Sequence, residues 1–510
     1  MDQNKRRMIL NELKNIMGME NASDNPAVTS SYRYIQGPGG APEIVAMPRT
    51  VEHVQEIVRL ANREKLSILP ISMGTKAWSR EVDILVDMMK MNKVIKVDPE
   101  NCYALLETGV SFNQVDPLLE KVGYTMARGT FPISFSVVGN HGVVRSFNHN
   151  FSGRIGDQTL GMEVVLMDGT LLRTGLATYG IDFWSTMNMD VPDYRGLFQR
   201  YNQKTPLLGI ITKAAIRIWP RLEAQGFPIG GFDSFAGAMR YCQAVTKAGI
   251  ADQSMVWSWV IMAMVEAKAR ESKNDIDFLN YRMAHDYSEP YKGMHYCYTW
   301  TQFRGYKETV DANLKVCKRI AKENGGKILT EKQLEATIPK VSAVLKSHYK
   351  DFHFIGEKDG APMLLWFHGG EGLGETCYYY GWVEDLIKLE IAYNKRLTET
   401  YKHSPVPYYV RIMEGGVGAH LRYIPFIDLM DEKEAATTLN RSAELHAWVH
   451  ENFPNIHCPM GDRHIETDSI GMGDIMNKIR EALDPNHVGY VAGDKRLEPE
   501  PKDEEAAVAS

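Results

Sequence analysis

The N-terminal part of the chain, up to Pro220, alternates short apolar runs with amphipathic stretches. Five apolar residues recur at helical spacing and predict a helix: Val51, Val54, Ile57, Val58 and Ala61. Thr50 precedes them as a candidate N-cap, because its hydroxyl can accept a hydrogen bond from a free backbone N–H. Residues 83–87 predict a short buried strand, and Asp168-Gly169 between two runs of branched residues predicts a hairpin. Strands and helices are therefore predicted to mix in this part.

The pattern changes after the glycine-containing segment 223–231, which indicates a domain boundary. Longer helical patterns follow over 236–248 and 310–324, and they alternate with aromatic strand patterns such as 363–368. Such a mixture is typical of an antiparallel sheet with helices on one face. We found no internal repeat.

Composition and charge serve mainly to exclude classes of protein. At 510 residues, with 44% hydrophobic and 24% charged residues, the chain has the composition of a globular protein long enough for two large domains. Its net charge of −6 gives no reason to expect a nucleic-acid partner. No run approaches the length of a membrane span and the N-terminus lacks the apolar core of a signal peptide, so a cytoplasmic protein is expected. The six cysteines form no C-x-x-C pair and His446 and His450 have no third ligand in evidence, so no metal site is expected.

The segment 70–76, P-I-S-M-G-T-K, follows an apolar run and carries the first candidate chemistry. Gly74 permits close approach of the backbone, while Ser72, Thr75 and successive backbone N–H groups can donate to phosphate oxygens. Glycine, serine and proline are also the ordinary residues of a connection between two apolar runs. The segment alone predicts either a pyrophosphate-binding loop or a plain turn.

Six motifs in order favour the pyrophosphate loop. They are P-I-S-M-G at 70–74, M-N-K-V at 91–94, E-T-G-V-S-F at 107–112, S-V-V-G-N at 136–140, G-M-E-V-V-L-M-D-G at 161–169 and G-I-I-T-K at 209–213. This ordered set resembles the vanillyl-alcohol oxidase and p-cresol methylhydroxylase family of flavoproteins, densely over residues 40–225 and in patches near the C-terminus. Ordered matches of this kind are far more specific than any single motif. The resemblance implies bound FAD.

The resemblance also implies an α+β, two-domain flavoprotein with a bipartite FAD-binding domain and an α+β cap domain of antiparallel sheet and helices. We place the N-terminal part of the FAD-binding domain at 1–222 and the cap at 223–454. Residues 455–497 are expected to return and complete the FAD-binding domain, because Asp484-Pro485-Asn486 resembles the closing L-D-P-N segment of the family. The tail, 498–510, is acidic and is expected to be disordered.

The cofactor contacts implied by the motifs are Pro70, Ile71, Ser72, Met73, Gly74, Thr75, Lys76, Ser136, Val138, Gly139, Asn140, Glu163, Gly209 and Ile211. His420, in a glycine-rich segment that begins at Gly415, matches the histidine that covalent members of the family link to the C8-methyl of the flavin. The resemblance therefore implies a flavin contact, and potentially a covalent bond, at His420. A partly buried histidine after a turn is the alternative.

Three residues are candidates for catalysis. Asp157 stands where the family has a Y-G-D motif, although the spacing here is longer, and its carboxylate would lie by flavin N5 and the reacting carbon. Arg463 and His464 stand where phenol-oxidising members carry a Tyr-Arg pair, and this cationic pair could bind a phenolate or a carboxylate. The alternatives are ion pairs of Asp157 with Arg154 and of Arg463 with nearby carboxylates.

We expect an FAD-dependent oxidase or dehydrogenase that moves a hydride from a benzylic or hydroxyl-bearing carbon to flavin N5. A para-substituted phenol is the leading small-molecule substrate, although the tyrosine that such members carry after the pyrophosphate loop is absent from 77–80. The alternatives are a 2-hydroxy-acid dehydrogenase and a flavin-carrying electron-transfer subunit of a larger complex. An electron-acceptor protein and a homo-oligomer are further expectations.

Overall fold

A computed structural model describes residues 1–32, 40–73, 81–127, 134–143, 148–149, 153–184, 193–199, 205–262, 290, 293–339, 371–373, 377–401, 406–424, 426–428, 432–458 and 470–491. The helices of this part are α1 (Gln3–Met17), α2 (Pro26–Thr29), α3 (Val51–Glu64), α4 (Phe112–Lys121), α5 (Arg195–Phe198), α6 (Phe235–Lys247), α7 (Lys307–Glu323), α8 (Glu331–Thr337), α9 (Val383–Glu399), α10 (Glu432–Asn452) and α11 (Met472–Leu483).

The strands before the cap are β1 (Ala22–Ser23), β2 (Ile44–Ala46), β3 (Ile68–Ile71), β4 (Ile84–Asp87), β5 (Val94–Asp98), β6 (Tyr103–Glu107), β7 (Tyr124–Met126), β8 (Asn148–His149), β9 (Gly153–Arg154), β10 (Thr159–Leu166), β11 (Leu171–Arg173) and β12 (Gly209–Pro220). The later strands are β13 (Ala224–Gly226), β14 (Ile229–Phe232), β15 (Gln253–Ser258), β16 (Cys297–Gly305), β17 (Gly326–Ile328), β18 (Glu371–Leu373), β19 (Cys377–Gly381), β20 (Tyr408–Met413), β21 (Gly418–Tyr423) and β22 (Phe426–Asp428).

A small sheet with parallel strands opens the fold. Its order is β1-β2-β4-β3, and β2 and β3 both run parallel to β4. The predicted helix is α3, and the hydroxyl of Thr50 accepts from the N–H of His53 at 3.3 Å, which confirms the N-cap. The apolar faces of α1 and α3 are buried in one core with Ile68 and Ile84. The carboxyl ends of β2, β3 and β4 therefore share one edge, where α/β sheets commonly bind ligands.

A six-stranded antiparallel sheet follows, in the order β11-β10-β12-β6-β5 with β7 paired to β12. The predicted hairpin is confirmed, because β10 and β11 pair across Asp168 and Gly169, and Gly169 has φ +89°, a value that favours glycine. The C-terminal segment returns to the first sheet, since Gly489 pairs in parallel with Ile68. The buried Asp484 carboxylate holds this return by accepting from the N–H groups of Val488 and Gly489 at 2.8 and 3.0 Å.

The cap domain is built on an eight-stranded antiparallel sheet, in the order β17-β14-β16-β15-β20-β21-β19 with β13 paired to β16. Helices α6, α7, α9 and α10 bury their apolar residues against one face of it, against strand residues such as Val410, Ile412 and Leu421. The helices predicted at 236–248 and 310–324 are confirmed as α6 and α7. The predicted strand at 363–368 and the acidic tail lie outside the described residues.

Candidate active site

The predicted pyrophosphate loop begins at the carboxyl edge of the first sheet. Pro70 and Ile71 end β3, and Ser72 and Met73 follow directly, all of them half-buried. Gly74, Thr75 and Lys76 lie outside the described residues. The loop thus leaves a strand that is hydrogen-bonded on both sides, by β4 and by the return segment at Gly489.

The second predicted cofactor segment, 136–140, lies against the first. The hydroxyl of Ser136 donates to the carbonyl of Thr108 at 2.6 Å and accepts from the N–H of Gly139 at 2.8 Å, so it is fixed between two segments. The side-chain amide of Asn140 donates to the Ser136 carbonyl at 2.7 Å. A Cβ added at Gly139 would lie 2.7 Å from the hydroxyl oxygen of Ser72. The structure therefore brings these two sequence-predicted segments together, and a Cβ at position 139 would displace the Ser72 hydroxyl.

The remaining predicted contacts lie on β10 and β12. Gly209 backs onto Val164, whose side chain a Cβ would strike, and Ile211 is buried on the same strand. Val138 is fully buried in the core that also contains Ile211. Contact of these residues with the cofactor stays a prediction.

Glu163 has a different environment from the one that the motif suggested. Its fully buried carboxylate accepts from Arg173 Nε at 2.8 Å and lies 3.0 Å from Lys213 Nζ, while the hydroxyl of Thr212 donates to it at 3.0 Å. Arg173 faces Glu163 across the hairpin register, and Lys213 faces it from β12. The carboxylate thus ties three strands together, and its contact with the cofactor stays a prediction.

Asp157 lies in the short 3-10 turn Ile155–Gln158, and its side chain is exposed. This turn lies against the π-helical turn Gly139–Val143, so Asp157 is brought beside the second cofactor segment. The amide of Gln199 donates to the Gly156 carbonyl at 3.2 Å and holds the turn from the other side. The position is compatible with the predicted role of Asp157, which stays a prediction.

The remaining candidates are the cationic pair Arg463 and His464 and the histidines considered for a metal site. Arg463 and His464 lie outside the described residues. His446 Nδ1 lies 3.2 Å from Cys458 Sγ, and the described part of the chain contains no group of three residues that could hold a metal ion. Across that same part, none of the helices has the length and hydropathy needed to span a membrane.

The cap sheet places a cationic and aromatic group of side chains on the side opposite helices α6, α7, α9 and α10. Tyr409 pairs with Arg422 and Arg411 pairs with His420 between β20 and β21, and Tyr380 on β19 pairs with His420. Side chains alternate along a strand, so these five residues share one side of the sheet, which we call the cap face. His420 is buried, and its ring stacks on Tyr380 with centroids 4.7 Å apart. The residue predicted to contact the flavin therefore lies in a strand and not in a turn.

The electrostatics of the cap face are dominated by its arginines. Burial, together with Arg411 and Arg422, holds the pKa of His420 well below its ordinary value, so its imidazole is neutral. Burial alone would raise the pKa of Tyr409, but Arg422 and Arg411 together lower it. Burial, together with Arg422, lowers the pKa of Arg411 to about 10. Burial is the larger cause for His420 and Arg411, and the arginines add a positive potential at this face.

The cap face adjoins the cofactor segments through a chain of neighbours. Strand β8 lies against β20, and β9 lies against the cap turn Glu414–Gly416. Strand β9 is followed by the turn that carries Asp157, which lies against the turn after Gly139. The segment 136–140 and the cap strand β20 are therefore linked through β8, β9 and the turn that carries Asp157.

Sequence reasoning identified His420 in this region but missed Tyr409, Arg411 and Arg422. The signal was present as strict alternation, Tyr409-x-Arg411 followed by His420-x-Arg422, which places all four on one side of a hairpin.

Comparison with known proteins agrees with this geometry. Residues 42–175 match a family model described as an FAD binding domain. The chain is 26% identical over 384 residues to the 4-cresol dehydrogenase (hydroxylating) flavoprotein subunit of Pseudomonas putida, which covers 67% of this chain and 68% of that protein. It is 24% identical over 250 residues to the glycolate oxidase subunit GlcD of Bacillus subtilis, which covers 47% of this chain and 50% of that protein. A solved structure of p-cresol methylhydroxylase with substrate bound has a TM-score of 0.76 at 21% identity, over 95% of this chain and 96% of that chain.

The matched family model runs through the first sheet, the pyrophosphate loop and the segment 136–140, so the chain is an FAD-binding flavoprotein. The residues present fit this cofactor, because Gly139 leaves room beside Ser72 where any side chain would intrude. The solved structure shares the cap as well as the cofactor domain. In sequence and in fold the chain is thus similar to FAD-dependent oxidoreductases of the p-cresol methylhydroxylase type, which agrees with the resemblance that its motifs carry.

Proposed function

We propose that this oxidoreductase removes a hydride from a benzylic or hydroxyl-bearing carbon of a small para-substituted phenol. The observation that carries the proposal is the similarity to the 4-cresol dehydrogenase flavoprotein subunit over 67% of this chain. When bound, FAD supplies the hydride acceptor, its N5 atom. The chain must then bind the substrate and accept one proton from it, and the quinone-methide-like product of a benzylic substrate is quenched by water or an internal nucleophile.

The residues have distinct roles in this proposal. The segment 70–76 and the turn at Gly139 and Asn140 bind and orient the cofactor. Asp157 accepts the proton of the substrate hydroxyl or stabilises developing positive charge, since its turn lies beside that segment. Arg463 and His464 hold the phenolate oxygen. His420, kept neutral by its environment, retains the nitrogen lone pair that a bond to the C8-methyl would need.

A 2-hydroxy acid is the second candidate substrate. The similarity to a glycolate oxidase subunit favours it, and so does the positive potential of the cap face, because a 2-hydroxy acid carries a carboxylate. In this alternative the hydride leaves the hydroxyl-bearing carbon, and arginine side chains bind the carboxylate.

The electron acceptor and the assembly complete the proposal. The P. putida relative is described as a flavoprotein subunit, which supports an electron-acceptor protein as a partner here. The third alternative, a subunit that only carries electrons, predicts that no small substrate reduces the purified chain. A homo-oligomer and a cytoplasmic location stay predictions.

Anaerobic titration of the purified holoprotein tests these candidates. Each candidate substrate is added in turn: 4-hydroxybenzyl alcohol, 4-cresol, lactate and glycolate. Reduction of the flavin is measured as loss of its visible absorbance. Reduction by the phenols supports the first proposal and reduction only by the acids supports the second. If none of a broad panel of either class reduces the flavin, both are refuted and the electron-transfer subunit is favoured.

A further inference from the structure

We propose that Arg411 and Arg422 form a binding site for a carboxylate group of the substrate on the cap face. The inference rests on the proposed function, because it concerns the substrate of the same site. It adds a second anion-binding position to the one predicted at Arg463 and His464, on different residues and on a different element of the chain.

Sheet register brings the two arginines together. Arg422 lies opposite Tyr409, and Arg411 lies opposite His420, so the arginines are diagonal neighbours on adjacent strands. Diagonal neighbours on one side of a sheet are within reach of each other when their side chains are long. The helices cover the other side of the sheet, and β8 of the FAD-binding domain lies against β20. The pair is therefore turned towards the cofactor domain.

Both guanidinium groups are positioned by Tyr409. Arg422 Nη1 donates to the Tyr409 hydroxyl at 3.0 Å, and the Cζ atom of Arg422 is 5.7 Å from the ring centroid. The Cζ atom of Arg411 is 5.1 Å from the same centroid. Two positive charges thus share one aromatic ring, and Arg411 is only 7% exposed. Water screens two like charges poorly in such a place, so a nearby anion relieves their repulsion.

The effect on neighbouring groups supports an anion site. Burial lowers the pKa of His420 and the two arginines lower it further, while at Tyr409 the arginines lower the pKa against the effect of burial, so their charges favour an anion beside them. A guanidinium binds a carboxylate through two parallel N–H···O bonds, and two guanidiniums can saturate both of its oxygens. The carboxylate could belong to a phenolic acid or to an aliphatic 2-hydroxy acid, and the same site would bind either one.

The direct test measures binding to the FAD-loaded protein with an inert pair of probes, benzoate and the neutral benzamide. Perturbation of the flavin absorption spectrum gives both dissociation constants. We expect benzoate to bind roughly tenfold or more tightly, since a hydrogen-bonded charge contributes more than its neutral counterpart. Equal affinities, or tighter binding of inorganic phosphate than of benzoate, would overturn the proposal.

Two variants assign the effect to residues. Arg411→Met and Arg422→Met are each expected to weaken benzoate by roughly 10- to 100-fold and to leave benzamide unchanged. Arg240→Met is the matched control, because Arg240 pairs with Glu384 on the helical side of the cap and its loss removes the same charge. If a methionine variant loses its flavin, Arg422→Lys replaces it. Arg422 is only half-buried, so we expect the lysine variant to fold. Variants that keep the benzoate preference would refute the assignment.

Flavin reduction separates this inference from the proposed function. Reduction by 4-hydroxybenzyl alcohol, which has no carboxylate, should proceed equally in the parent protein and in the control Arg240→Met. In Arg422→Met, the loss should be smaller for this phenol than for a substrate that carries a carboxylate. Reduction by 4-hydroxymandelate or by lactate should require a much higher concentration in the variant, and the acid that is affected identifies the source of the carboxylate. If the phenol reduces the flavin but benzoate shows no preference, the carboxylate site fails while the proposed function stands.

Discussion

The contact between Ser72 and Gly139 makes a quantitative prediction about FAD affinity. A Cβ at position 139 would lie 2.7 Å from the Ser72 hydroxyl oxygen and 3.1 Å from that of Ser136. Ser136 cannot yield, because its hydroxyl is hydrogen-bonded to both Thr108 and Gly139. In Gly139→Ala the strain therefore falls on Ser72, at the start of the pyrophosphate loop.

Overpacking of this kind costs about 1–3 kcal/mol. If the displaced group is part of the FAD site, that energy is lost from binding, and the dissociation constant rises roughly 10- to 100-fold. Ser72→Ala removes the oxygen that the new methyl group would strike. In the double variant we expect the effect of Gly139→Ala to shrink by about 1 kcal/mol or more, which is the coupling expected of residues in contact.

The assay is quenching of FAD fluorescence on titration with apoprotein. All variants are made on a His420→Ala background, so that no covalent link can form at the predicted position. Gly305→Ala in the cap strand β16 is the matched control, because its added Cβ would be 3.5 Å from the nearest atom, Thr309 Cβ. Unchanged FAD affinity in folded Gly139→Ala, or a loss that Ser72→Ala does not reduce, would refute the reasoning.

Three further predictions concern charge and covalency. Glu163→Gln should lower the free energy of unfolding in urea by about 2 kcal/mol, since Arg173 and Lys213 lose their buried partner but can still reach water; equal stability would contradict the ion-pair role. Acid precipitation of the wild-type protein should leave flavin in the pellet and His420→Ala should release it, whereas full release from the wild type would exclude the bond. Burial raises the pKa of Glu390, so the folded state holds its proton more tightly than the unfolded chain and stability should fall as pH rises from about 4.5 through the raised pKa. Glu390→Gln should flatten this part of the curve of stability against pH, and an unchanged slope would show that another group causes it.

The two predicted cofactor segments could be located from the sequence because each is marked by a short motif, and their contact with FAD stays a prediction. Gly139 must approach Ser72, and Gly169 must adopt a positive φ. Each requirement favours glycine, and each glycine belongs to a short motif. The ion pair of Glu163 could also have been derived. Arg173 and Glu163 lie five residues on either side of Asp168, and a hairpin at that point sets them opposite each other. The motif by itself predicts only a cofactor contact, whereas the ion pair follows from the hairpin register.

The cap face could not be predicted in the same way, because it depends on which strands pair. Tyr380 and Tyr409 are separated by a long helix and meet only through β21, which pairs with both of their strands. Alternation shows that Arg411 and Tyr409 share a side, but it does not show whether helices cover that side. The side that the helices cover is determined by Val410 and Ile412. Their apolar side chains pack against the helices, so the arginines lie on the opposite side of the sheet.

This arrangement separates the stability of the cap from its chemistry. On β20, Tyr409 and Arg411 lie on the cap face, while Val410 and Ile412 lie in the helical core, so a substitution on one side need not disturb the other. The predicted FAD segments lie on other elements, where Ser136 and Asn140 are hydrogen-bonded and Gly139 approaches Ser72. Proteins that share this fold can therefore keep one cofactor site and differ in the few side chains of the cap face. Our proposal that the cap face meets the substrate would account for similarity to both a 4-cresol dehydrogenase flavoprotein subunit and a glycolate oxidase subunit.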